Sequence, residues 1–248
     1  NTDAGVNGSG GAVSLGSALN ASVAGAQALT VTAGNGAVTL GAAGQTAALK
    51  SLSVSTGGVT TLNGSVSTGG AATGGNVTFS GATGGVVLGA DVSINSNAGA
   101  SATGGAIDFG SAAVNATAAG QQALALQSGN GAVTLGPVGQ TTALKSLTVA
   151  SSGQTVLGGG IRTDNNAGSG NVDLSAATGG IRLSADVSIN TDAAGAEGLG
   201  LGEGDLGLGL NDLGLHFLDA GLHLLLKRHG GGAADFRLRL GHVLVGLG

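Results

Sequence analysis

Cysteine, tryptophan, tyrosine and methionine are all missing from the 248 residues, and proline occurs once. Without cysteine there is neither a disulfide nor a thiolate metal site, which suits a chain that crosses an oxidising periplasm unfolded. Aromatic residues make up 2% of the chain, so the stacking platforms that single-stranded nucleic acid needs are lacking. Charge is scarce too, at 8% against about 25% in average soluble proteins. The net charge of −5 is spread thinly, with no Lys/Arg stripe, so no nucleic-acid partner is expected. Scarce charge often marks disorder, but disordered chains are also poor in apolar residues. This chain is 42% apolar, mostly Ala, Val and Leu, and carries 53 glycines. A regular, repetitive packing of small side chains satisfies both facts.

Residue 1 opens no signal peptide, since neither a basic n-region nor an apolar h-region follows it. The expectation is a sequence that begins inside a longer protein. The most apolar window, Leu208 to Leu226, is interrupted by Asp212, His216, Asp219 and His223. A membrane span needs about 20 predominantly apolar residues, so this window is a poor candidate.

Internal repetition decides the architecture. GNGAVTLGAAGQTAALKSLSV (Gly34–Val54) returns as GNGAVTLGPVGQTTALKSLTV (Gly129–Val149), with 17 of 21 positions identical. The match runs without a gap to Ala98 against Ala193, with 39 of 65 positions identical at an offset of 95. Upstream, GGAVSLGSA (Gly10–Ala18) matches GGAIDFGSA (Gly104–Ala112) at an offset of 94, which places one inserted residue near Leu19. Residues 1–94 and 95–189 are two copies of one unit, and a third begins at Asn190.

Each unit is built of short segments that alternate apolar residues with Ser or Thr, such as AVTL (Ala37–Leu40), LKSLSV (Leu49–Val54) and VSIN (Val92–Asn95). That period of two is the pattern of a strand with one buried face. Gly-Gly, Asn-Gly and Thr-Gly-Gly between the segments favour tight turns. A sandwich or barrel is possible on these grounds, but the constant unit length and the lack of large core aromatics favour a solenoid. The expected fold is all-β, a right-handed parallel β-helix. At roughly 20–25 residues per turn, residues 1–192 would make about eight turns, a rod roughly 40 Å long, with Ser and Thr lining the outside.

The repeats GNGAVTLG and QTxALKSLxV, with TTLNG (Thr60–Gly64) and LGADVSIN (Leu88–Asn95), resemble those of large bacterial surface exoproteins. These are the filamentous-haemagglutinin-like adhesins and related autotransporter adhesins. The resemblance covers residues 1–192. It implies a secreted β-helical shaft used in attachment, aggregation or biofilm, with an outer-membrane transporter as partner during secretion. Host-cell or neighbouring-cell glycans or proteins would be its targets, at the extracellular face of a bacterium.

After Asp192 the pattern stops. Residues 193–248 contain no Ser or Thr, yet hold all four His and both Glu. One reading is a cap over the last open turn. The favoured reading is an out-of-frame product of GC-rich repeat DNA, which the nucleotide sequence would decide.

Candidate chemistry is sparse. Asp212, His216, Asp219 and His223 are spaced 4, 3 and 4 apart, so on a helix they would share one face, extended by Lys227. Such a face could take zinc, but the polar side of an amphipathic segment explains it as well, and no metal or other cofactor is expected. Thr163–Gly168 is like a calcium loop but fails the D-x-[DN]-x-[DN]-G spacing and lacks the following Glu, so a Gly/Asn-rich turn is expected. Arg162, Asp164, Asp173 and Arg182 replace Ser67, Gly69, Thr78 and Val87 of the first unit. The interval from Arg162 to Arg182 is close to one turn, so the four could gather on one flank and do acid/base work on a polysaccharide. A small surface ion-pair group is the plainer expectation. Lys50, Lys145, Asp91 and Asp186 read as solvated outer positions that discourage edge pairing. A Ser-His-Asp triad would have to borrow its His from the tail, and the GxGxxG-like spacings expected by chance among 53 glycines carry no weight. No catalytic residue is assigned, no small-molecule substrate is expected, and a polysaccharide-cleaving enzyme is kept as the alternative to an adhesin shaft.

Overall fold

The computed structural model describes Thr2 and residues 9–70, 73–97, 103–164 and 170–191, with the backbone of 213–218, 221–226 and 237–239. The chain divides into two compact units, Asn1–Gly195 and Ala196–Gly248, taken separately here.

The first unit is a parallel β-solenoid of about 7 turns with three faces. Face I stacks β1 (Val13–Leu15), β3 (Val38–Leu40), β5 (Thr60–Leu62), β8 (Val86–Leu88) and β11 (Val114–Ala116). Bridges through Val138 continue face I to β16 (Ile161–Arg162) and β19 (Ile189–Asn190). Face II holds β6 (Val66–Ser67), β9 (Val92–Asn95), β12 (Ala123–Gly129), β14 (Ser146–Ser151) and β17 (Asn171–Asp173). Face III holds seven strands: β2 (Ala28–Thr32), β4 (Ser51–Thr56), β7 (Val77–Ala82), β10 (Ile107–Asp108), β13 (Val133–Leu135), β15 (Thr155–Leu157) and β18 (Ile181–Leu183). The chain visits the faces in the order I, II, III and then climbs one rung.

Alternation puts every second side chain inside, so like stacks on like. On face I Leu15, Leu40, Leu62 and Leu88 form one interior column. On face III Leu29, Leu52, Val77, Ile107 and Val133 form another. Rungs are longer and less even than the spacing suggests: a short one runs from Val38 to its partner Thr60, a long one from Val92 to Leu124. The corners absorb the extra residues, so the expected eight turns become about 7. At a strand spacing near 4.8 Å that is a stack of about 34 Å.

The corners need glycine for a specific reason. At the entry to face I, a Cβ on Gly36 would meet the backbone of Gly11, one on Gly58 that of Gly36, and one on Gly84 that of Gly58. At the entry to face III, Gly105, Gly131, Gly153 and Gly179 abut Gly75, Gly105, Gly131 and Gly153 in the same way. Each corner is a column of backbones in direct contact.

Not all hydroxyls line the outside, as the alternating pattern had suggested. Thr56, Thr68, Ser96, Ser128 and Ser151 are buried, and each donates to the carbonyl of a corner glycine. Ser128 and Ser151 both reach Gly131 O, at 2.7 and 2.9 Å. Thr60 and Thr155 are different. Both are fully buried, stacked between Val38 and Val86 and between Val133 and Ile181, and neither Oγ1 has a partner. Valine has the same shape without the desolvated hydroxyl. Thr60→Val and Thr155→Val should therefore each stabilise the protein by about 1–2 kcal/mol, adding in the double variant because the sites share no partner. A lowered midpoint in thermal unfolding would contradict this.

The second unit holds three antiparallel strands, β20 (Leu213–Leu218), β21 (Gly221–Leu226) and β22 (Arg237–Arg239). The helical face considered for Asp212, His216, Asp219 and His223 is therefore not formed. His216 and His223 are direct register partners on β20 and β21 instead, while Asp212, Asp219 and Lys227 lie outside the described residues.

Candidate functional site

The register fixes how one repeat unit relates to the next. From Val38 on face I the chain passes three further rungs of that face (Thr60, Val86, Val114), then faces II and III, before Val133. A unit thus spans eleven faces, three full turns and two-thirds of another. Each position accordingly reappears one face away: Val38 and Val133 on faces I and III, Val66 and Ile161 on II and I, Leu52 and Leu147 on III and II. Neighbours are preserved while direction changes, as Thr60 and Thr155 show.

This geometry separates the four charged residues special to the second unit. Arg162 is on face I, where Nη1 donates to the Gln140 carbonyl at 3.0 Å. Asp164 follows it and is buried, its N–H donating to Leu144 O at 2.6 Å. Asp173 is on face II and Arg182 on face III. The one-flank grouping fails because the interval from Arg162 to Arg182 is short of a full rung at this height: Ile161 pairs with Ile189, and Thr155 with Ile181. Asp173 is engaged locally. Its Oδ1 accepts from the Ser175 hydroxyl at 2.6 Å and N–H at 2.9 Å, and these bonds, the hydroxyl foremost, hold the carboxyl below its ordinary range.

Of the calcium-like loop, Thr163 and Asp164 are described and 165–169 lie outside the described residues. Among the described residues no group of three His, Asp or Glu is placed to hold a metal ion. Lys50, Lys145, Asp91 and Asp186 are all exposed, and Asp91 Oδ1 accepts from the Ala123 N–H of the next rung at 2.9 Å.

A concavity that the sequence did not signal lies where face II turns into face III. It is a shallow cleft of about 320 Å³ lined by Gly25, Lys50, Ser51, Thr73, Gly75 and Asn76. The N–H groups of Gly25 and Gly75 are already bonded to Ala48 O and Ser96 O, so Lys50 supplies the charge there. Its counterpart Lys145 stands one corner away, between Val138 on face I and Leu147 on face II. Such a cleft can hold a small hydroxylated or anionic group by a single ammonium and side-chain hydrogen bonds, without converging acid/base groups.

No protein-family model, curated protein or solved structure matches the chain.

Proposed function

We propose that residues 1–192 are a segment of the shaft of a bacterial surface-exposed or secreted adhesin, a rigid β-helical rod that supports attachment or aggregation. The observation that carries this reading is the eleven-face unit. It presents the same surface groups in turn on all three sides of a rod, while the candidate acidic and basic residues face different ways. Contacts made by such a rod are weak singly and strong together, since linked sites raise each other's effective concentration. Host-cell or neighbouring-cell glycans or proteins are the partners this arrangement suits, and Lys50 and Lys145 mark two of the contact points. Reaching that location would require an outer-membrane transporter. A polysaccharide-cleaving enzyme would instead need Asp164 and Asp173 to work together on one substrate.

Beads coated with the full chain should adhere to cells or immobilised glycans with a steep dependence on coating density. The variant carrying Asp164→Asn and Asp173→Asn should adhere equally well. Dense coatings that adhere to nothing would overturn the adhesin reading. A lyase or hydrolase activity lost in the double variant would establish the enzyme instead.

A further inference from the structure

The upper end of the solenoid carries apolar residues at interior positions that are not covered. Ile181, Leu183 and Ile189 are 47%, 58% and 49% exposed, whereas Val86, Leu88 and Ile94, their counterparts one unit below, are fully buried. What buries those counterparts is known in detail. Val86 and Leu88 are covered by Val114 and Ala116, Val77 by Ile107, and Val92 and Ile94 by Leu124 and Leu126.

The covering residues open the second unit, and their equivalents in the first are Leu19, Ala21, Val13, Leu29 and Val31. These lie in the lowest turn, where Val13, Leu19 and Leu29 are only partly buried. The lowest turn of the chain is thus built of the sequence that the highest turn lacks.

We propose that a second copy of this chain docks head to tail on the upper end. Its Val13 pairs with Val172, its Leu19 and Ala21 cover Ile181 and Leu183, and its Leu29 and Val31 cover Val187 and Ile189. The three ladders continue in register across the joint, because each new pairing repeats one already present inside the chain. The inference stands on repeat phase alone and holds whether or not the rod is an adhesin. The contact is heterologous, so it leaves a free end on each side and propagates into a filament rather than closing. Two units span twenty-two faces, so each added copy turns by one face and advances about 35 Å at the ordinary strand spacing.

Sedimentation velocity of the full chain should show a concentration-dependent ladder of species. Leu183→Arg blocks the upper end, and Leu29→Arg blocks the lower; Val13→Arg serves in place of the latter should it disturb folding. Circular dichroism and melting first confirm that each variant keeps the parent fold. Either variant alone should self-associate at least tenfold more weakly than the parent. An equimolar mixture should form a one-to-one dimer and stop, because one free upper end meets one free lower end. A parent that stays monomeric, association that both variants leave intact, or a mixture that stays monomeric would each overturn the proposal.

Discussion

Gly131→Ala is expected to destabilise the protein by roughly 3–5 kcal/mol, although it adds a single methyl group. The new Cβ would lie 2.1 Å from Gly105 O and 2.4 Å from its carbonyl carbon, and those are backbone atoms that no rotamer change can move. Relief requires spreading two rungs that are tied by the pairing of β13 with β10 and β15. The Gly131 carbonyl also accepts from Ser128 and Ser151, so displacing it strands two buried hydroxyls. Gly36, the same position in the first unit, would place a Cβ 2.2 Å from Gly11 O, and Gly36→Ala should behave alike. Gly16 provides the contrast. Nothing lies within 4 Å of a Cβ there, so Gly16→Ala should be neutral or should stabilise by about 0.4–1 kcal/mol through the unfolded chain. Urea unfolding of the three variants checks this, and equal midpoints would show that the corners have slack.

The comparison of Gly131 with Gly16 also marks how far the sequence could be read. Strands and turns were legible because alternation and Gly-rich punctuation are local signals, and the solenoid followed from an offset of 95 that persists almost without interruption. Which glycines touch another backbone was not legible. That contact depends on the neighbouring rung, which lies at a different distance along the chain for Val38 and Thr60 than for Val92 and Leu124. The inward hydroxyls were within reach. In SLSVST, Thr56 keeps phase with Leu52 and Val54, and in ALALQS, Ser128 keeps phase with Leu124 and Leu126, so counting by two predicts both. Chemical type outweighed phase in the expectation, and the structure favours phase.

Gathering Arg162, Asp164, Asp173 and Arg182 on one flank failed for a related reason. It took the interval from Arg162 to Arg182 as a full turn, whereas the unit divides into eleven faces of uneven length. The repeat period is visible in the sequence, but its division among faces depends on how much chain each corner takes up. One unit is not a whole number of turns, and a sequence alignment of the copies therefore hides the rotation between them. Residues that align are neighbours in kind and not in direction. For an enzyme that would scatter a site, whereas for a rod it distributes one surface around the axis.

Phe109→Ala is expected to cost about 3–5 kcal/mol, the range for removing a fully buried ring. The residue lies at a joint. Phe79 in the first unit and Phe109 in the second are both fully buried, with ring centroids 5.2 Å apart and planes inclined by 21°. They stack because Ile107 and Asp108 pair with Val77 and Thr78, which sets the next residue, Phe109, above Phe79 on the adjoining rung. Their counterparts elsewhere are the smaller Leu174 and Leu15, so this pair is specific to the seam between units. In a solenoid each rung is stabilised by its neighbours, and weakening one interface reduces the coupling of the blocks on either side. The loss should lower the melting temperature by about 6–20 °C at the usual 2–4 °C per kcal/mol for a body of this size. It should also broaden the transition or split it in two, because the second unit can then open while the first stays folded. Phe109→Leu keeps most of the volume and should retain a single transition. The cycle built from Phe79→Ala, Phe109→Ala and the double variant should give a coupling of about 0.5–1.5 kcal/mol beyond the area lost. Calorimetry reads midpoint and cooperativity together. A sharp, unsplit transition within about 2 °C of the parent, a loss well under 1 kcal/mol by the same conversion, would show that the seam does not depend on this pair.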